Sequence, residues 1–122
     1  MHSNKILSKV MGGNPEPGYQ QITALAKRHK KPFMLGEAGP FAGPVQSWKD
    51  WYEPFFGFVN SHGAKAFTFN NQPVLPECKE FGDERMEVMS KDIQHRWSAE
   101  MLKPRYLKPD ANLFDVLGYK NK

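Results

Sequence analysis

Lys31-Pro32-Phe33-Met34-Leu35-Gly36-Glu37-Ala38-Gly39-Pro40 is the stretch that decides how this 122-residue chain folds. Pro32 stops any helix that precedes it, and Phe33-Met34-Leu35 is a short continuous apolar run closed by Gly36. Such a run predicts a strand covered on both faces, as in a parallel sheet. The strand delivers Glu37 at its carboxyl end, and Gly39-Pro40-Phe41-Ala42-Gly43-Pro44 follows as a loop by its turn residues.

Upstream, Tyr19, Ile22, Leu25 and Ala26 recur at helical spacing, which predicts a helix with one buried face running to about Lys30. Gly12-Gly13-Asn14-Pro15-Glu16-Pro17-Gly18 precedes it, so residues 1–18 are expected to be irregular and residues 19–122 to hold the core. Downstream, Ser47-Trp48-Lys49-Asp50 resembles a capping box and starts a helix. Its inner face would carry Trp51, Phe55, Phe58, Val59 and His62, with a kink or restart expected at Pro54 and an end at Gly63. Ala64–Asn70 reads as a second strand, and a helix between two strands requires a parallel crossover. Met86, Met89, Ile93, Trp97 and Met101 describe a third helix that stops at Pro104. Asp110 can cap a last short helix burying Leu113, Phe114 and Leu117.

The order is therefore α-β-α-β-α, an α/β class with two parallel strands. A parallel sheet needs helices over both faces and further strands along its edges. A (β/α)8 barrel takes about 250 residues, so this chain supplies half or less of one. The composition agrees with a lean core: 39% of residues are apolar, and Ile, Leu, Val and Phe together make about a fifth of the chain. Missing strands, or a partner that provides them, are expected.

Barrel enzymes place their catalytic groups at the carboxyl ends of strands. A carboxylate there can act as nucleophile or general acid according to its neighbours. By position alone, Glu37 is open to that reading and to the ordinary one of an exposed loop glutamate.

Residues 31–40 resemble the seventh strand of retaining (β/α)8 glycoside hydrolases of the cellulase and mannanase superfamily, of clan A type. Ser47-Trp48-Lys49-Asp50-Trp51-Tyr52-Glu53-Pro54-Phe55-Phe56 is similar to the seventh helix, and Lys65-Ala66-Phe67-Thr68-Phe69-Asn70-Asn71 to the eighth strand. Phe81-Gly82-Asp83-Glu84-Arg85-Met86 looks like the entry to the closing helix, so that roughly residues 19–107 take part. The resemblance implies a partial TIM barrel, its last two βα units and C-terminal helices, acting on β-linked polysaccharide or oligosaccharide. Glu37 matches the catalytic nucleophile, and Asn71 would face the same sugar. The partner acid of that superfamily lies on a fourth strand, which has no matching position here, so the chain alone is expected to be inactive. An upstream barrel segment, or self-association, would complete it.

The family usually follows the asparagine region with a sugar-stacking tryptophan; here Gln72-Pro73 stands in that place. Gln72, Phe41 and Trp48 join Asn71 as candidate substrate contacts, because aromatic faces suit the apolar faces of sugars. Trp51, by its helical position, is read as core.

Other chemistries find little support in the pattern. The four histidines are too far apart in sequence for a local ligand pair, and one cysteine, Cys78, forms neither a disulfide nor a four-thiolate site, so no metal or cofactor is expected. Glu80, Asp83, Glu84 and Glu87 lack the ligand alternation of a calcium loop and read as a solvated helix start. The net charge of +4 is scattered; only Lys27-Arg28-His29-Lys30-Lys31 is dense, and cations there suit the carboxyl end of a helix. With the charge scattered, nucleic acid is not expected as a partner, and with no apolar run of 18 residues neither is a membrane. The opening residues contain no long apolar stretch, so no secretory signal is written there and localisation stays open. The competing class is a small non-catalytic module that holds a carbohydrate or a polyanion.

Overall fold

A computed structural model describes residues 16–40, 45–116 and 118. The order is α1 (Glu16–Arg28), β1 (Met34–Ala38), a 3-10 turn (Trp48–Asp50), α2 (Tyr52–His62) and β2 (Ala66–Phe69). Two more 3-10 turns (Pro76–Phe81 and Met86–Val88) lead into α3 (Lys91–Met101), and α4 (Leu113–Val116) closes the described chain.

The two strands pair in parallel, Met34 with Ala66, Leu35 with Phe67 and Ala38 with Phe69, with the register slipping between Leu35 and Ala38. Among the described residues the sheet has two strands. Its Leu35, Phe67 and Phe69 side packs on a core of Trp51, Tyr52, Phe55, Phe56, Val59, Met89 and Ile93. That core is largely aromatic and sits between the sheet and α2 and α3. Trp97 closes it, with ring centroids 4.8 Å from Phe69, 5.8 Å from Phe56 and 6.1 Å from Tyr52.

Several sequence expectations need correction. The strands are covered on one face only: Met34, on the other, is 57% exposed. Helices lie over a single side of the sheet, and no described element lies over the other. The same shortage leaves Ile22 and Leu25 of α1 about half exposed, where the spacing called for a buried face. Helix α1 instead docks through Tyr19, whose ring lies 4.8 Å from Phe58. It also begins inside the segment expected to be irregular, because Pro17 falls in its first turn, where a missing N–H breaks no intrahelical bond.

In α2 the proline likewise falls in the first turn, so Pro54 neither kinks nor restarts the helix. Ser47 N–H donates to Asp50 Oδ2 at 2.8 Å, but the turn it starts is 3-10, and Trp51 separates it from α2. The inner face of α2 is rotated from the expected one. Tyr52 and Phe56 are buried with Trp51, Phe55 and Val59, while Phe58 is half-buried and His62 exposed and stacked on it at 4.1 Å. Gly63 ends the helix in the left-handed region at φ 67°, its N–H donating to the Val59 carbonyl. Met86 lies outside α3, which starts at Lys91 with Ser90 Oγ accepting from Ile93 N–H at 3.3 Å. Leu113 and Phe114 of α4 are exposed rather than buried, and Leu117 lies outside the described residues. No helix among the described residues is long and apolar enough to cross a membrane.

Candidate functional site at the carboxyl ends of the strands

Pairing of β1 with β2 brings Glu37 beside Thr68 and Ala38 beside Asn70. Glu37 itself is backbone-strained: its φ is 54°, in the left-handed region that a non-glycine residue enters at a cost of ~1 kcal/mol or more. The strain coincides with the slip in register. Glu37 N–H turns to donate to Thr68 Oγ1 at 2.8 Å, and the ladder resumes when Asn70 N–H donates to the Ala38 carbonyl at 2.8 Å. The effect is to bulge the strand at its last turn and leave the Glu37 side chain exposed, with no hydrogen bond or ion pair among the described residues. Strain of this kind collects at functional positions because the surrounding structure has to impose it.

Beyond the bulge the chain dives inward, and Gly39 and Pro40 are buried. What they meet is Glu84. This carboxylate is 2% exposed and accepts from Asn70 Nδ2 at 2.6 Å. A Cβ placed on Gly39 would stand 3.2 Å from Glu84 Oε2 and 3.3 Å from its Cδ, a tight approach at which the buried carboxylate would have to give by a few tenths of an ångström. Glu84 N–H also donates to the Gln72 carbonyl at 3.0 Å. One buried acid thus ties together the turn after β1, the end of β2 and the loop before α3. Burial, aided by the charge of Glu84, pushes the Tyr52 phenol up to about 12.

The expectation that Glu84 is part of a solvated helix start is therefore wrong. Only a 3-10 turn starts nearby, at Met86, and the acid itself is buried rather than solvated. Charged residues are rarely placed inside, so a sequence rule assigns Glu84 to the surface; the small residue at Gly39 was the one available sign that something must approach it. Asp83 has a different role, its two oxygens receiving Arg85 Nε at 3.0 Å and Nη2 at 2.7 Å. That pairing holds its carboxyl below the usual carboxylate range.

The remaining predicted contacts are dispersed. Asn71 is exposed but engaged at both ends of its amide: Oδ1 accepts from Met86 N–H at 2.6 Å and Nδ2 donates to Glu87 Oε2 at 3.3 Å. Gln72 is exposed beside it. Trp48 is half-buried, with its ring stacked on Tyr52 at 5.0 Å and on Phe56 at 5.7 Å. Phe41 lies outside the described residues. Trp51 is core at 3% exposure. No group of three potential metal-ligating side chains comes together among the described residues. What the assembled site offers is one exposed carboxylate at a strained strand end, on a rigid polar support of Thr68, Asn70 and Glu84.

Searched against family models, the chain matches none. It is 26% identical over 127 aligned residues to the beta-1,3-xylanase TXYA of a Vibrio species, a match covering 79% of this chain and 27% of that protein. The chain thus spans about a quarter of the length of this curated relative. The similarity supports a distant, partial relationship to a glycoside hydrolase.

Proposed function

We propose that this chain is the C-terminal portion of a retaining glycoside hydrolase barrel that acts on a β-linked polysaccharide, with Glu37 as nucleophile. The observation that carries the reading is the position of Glu37. It stands exposed at the carboxyl end of a parallel strand, in a backbone conformation that Thr68 and the adjoining strand impose. The exposed face of the two-strand sheet supports the barrel part of the reading, since that face would line the interior of a closed barrel. The Vibrio relative is named for xylan with β-1,3 linkages, which makes that polymer the first substrate to try.

In this mechanism a Glu37 oxygen attacks the anomeric carbon as the glycosidic C–O bond breaks. The electron pair of that bond leaves with the departing oxygen, which a second carboxylic acid about 5–5.5 Å from the nucleophile protonates. Water then releases the sugar from the resulting ester. No carboxylate of this chain matches the acid of the resemblance, and Glu84, buried and bound to Asn70, is unsuited to it. Proton assistance of that kind contributes typically 10²–10⁴-fold. The chain by itself should therefore leave polysaccharide uncut.

The test is kinetic and uses both the chain alone and a longer protein that continues it upstream through the remaining βα units. The longer protein should release sugars from β-1,3-xylan or another β-glycan. Its Glu37→Ala variant should lose turnover and recover it with azide, giving a glycosyl azide of inverted configuration. Turnover unaffected by Glu37→Ala would refute the assignment.

A further inference from the structure

At the opposite end of the strands from Glu37, the carboxyl ends of α1 and α2 and the segments leading into β1 and β2 enclose a groove of about 740 Å³. Lys27, Lys30, Lys31 and Lys65 all line it, together with His62 and Phe33, and no acidic side chain does so among the described residues. None of the four lysines has an ion-pair partner among the described residues; Lys91 and Lys108 elsewhere share that state, their ammonium groups donating to the Gln94 amide and to backbone carbonyls, so what sets the four apart is that they line one concavity.

The attraction of lysines to helix carboxyl ends accounts for cations at Lys27 and Lys30. It does not account for Lys65, which precedes a strand, nor for the convergence of all four on one groove. Lys30 adds a second oddity: its φ is 52°, at a helix-ending position where glycine is the favoured residue.

We propose that this groove binds a tetrahedral oxyanion, a phosphate or a sulfate ester. Lysine ammonium groups act as rotatable point charges and lack the planar fork that selects a carboxylate, so they favour charge density over planar shape. The inference is independent of the role of Glu37, which lies at the other end of the sheet. The oxyanion can come from a free small molecule or from an ester group on a glycan.

The experiment is a titration of the purified, isotope-labelled chain with inorganic pyrophosphate, with a sulfated hexasaccharide and with an uncharged xylo-oligosaccharide, followed by amide NMR. The amides of Lys27, Lys30, Lys31, Gly63 and Lys65 should shift together along one saturating curve with the anions and stay still with the neutral sugar. Lys30→Gly keeps the backbone content, because its φ suits glycine, and should weaken binding about three- to fivefold, as should Lys65→Gln. Lys91→Gln and Lys108→Gln, outside the groove, should leave it unchanged. Tighter binding of pyrophosphate identifies a free anion, and tighter binding of the hexasaccharide an ester on a glycan. Shifts that never saturate, or equal weakening by all four substitutions, would overturn the proposal.

Discussion

Replacing Tyr52 by phenylalanine should stabilise this protein, which is the reverse of what removing a tyrosine hydroxyl usually does. Tyr52 is fully buried among Trp48, Trp51, Phe69 and Trp97, and its hydroxyl has no hydrogen-bond partner among the described residues. An unpaired buried hydroxyl costs on the order of 1–3 kcal/mol. Against that, Tyr52→Phe leaves a void the size of one oxygen, worth roughly 0.5 kcal/mol at about 24 cal/mol per Å³. The net expectation is a gain of about 1 kcal/mol near pH 7, read as a higher urea midpoint at unchanged slope.

The same substitution has a pH signature. The folded phenol is raised to about 12 by burial and by the charge of Glu84, while the unfolded one titrates near 10. The unfolded chain therefore releases its proton first. Stability from this group is complete below pH 10 and drains away as the pH rises toward 12. Tyr52→Phe removes that loss, so its advantage over the parent should widen through this window by ~1 kcal/mol or more. Tyr106, also raised to about 12, chiefly by burial and by its bond to Glu100, is common to both proteins and cancels in the comparison. Urea titrations at pH 7, 9, 10 and 11 measure both effects. A variant destabilised by more than about 1 kcal/mol, or with the parent's alkaline profile, would show that the hydroxyl is paired and the reasoning mistaken.

Gly39→Ala should lower stability by about 1–2 kcal/mol in the same assay, since its Cβ would press on the buried Glu84 carboxylate that Asn70 holds in place. At the other extreme of pH, Glu100 matters. Burial alone would raise its pKa, but hydrogen bonds from Lys103 and Tyr106 and the charges of Lys103 and Arg105 win and lower it. Its contribution is present above the ordinary carboxylate value and is lost as the pH falls through the depressed one, so Glu100→Gln should flatten the acid limb of a stability–pH curve. Hydrogen exchange of the chain alone should find β1 and β2 less protected than α2, because the outer edges of the two-strand sheet have no ladder partners among the described residues. Equal protection would argue for a self-sufficient sheet.

The parts of this architecture that the sequence made legible are those fixed by local chemistry. The apolar run closed by Gly36, the helical spacing of Ile93, Trp97 and Met101 and the glycine after His62 made the parallel pair and its helices readable, because turn residues and periodicity act over a few positions. The placement of Glu37 at a strand end was readable for the same reason. Its left-handed backbone was not, since it arises from a register slip against β2, a contact 31 residues away in sequence. Nor was the burial of Glu84, which depends on Gly39 and Asn70 converging from separate strands. The apolar spacing of α1 promised a buried face, yet Ile22 and Leu25 stay exposed, because periodicity records what a face is suited to cover and says nothing about whether the covering element belongs to the same chain.

The most direct test of the account is a mass measurement. The longer, upstream-continued protein would be treated with an activated 2-fluoro-xylobioside, whose leaving group needs no acid, then digested and mapped. Attachment of the glycosyl group to the peptide bearing Glu37, and to that residue within it, is the predicted result; a label on any other carboxylate, with Glu37 unmodified, would contradict it.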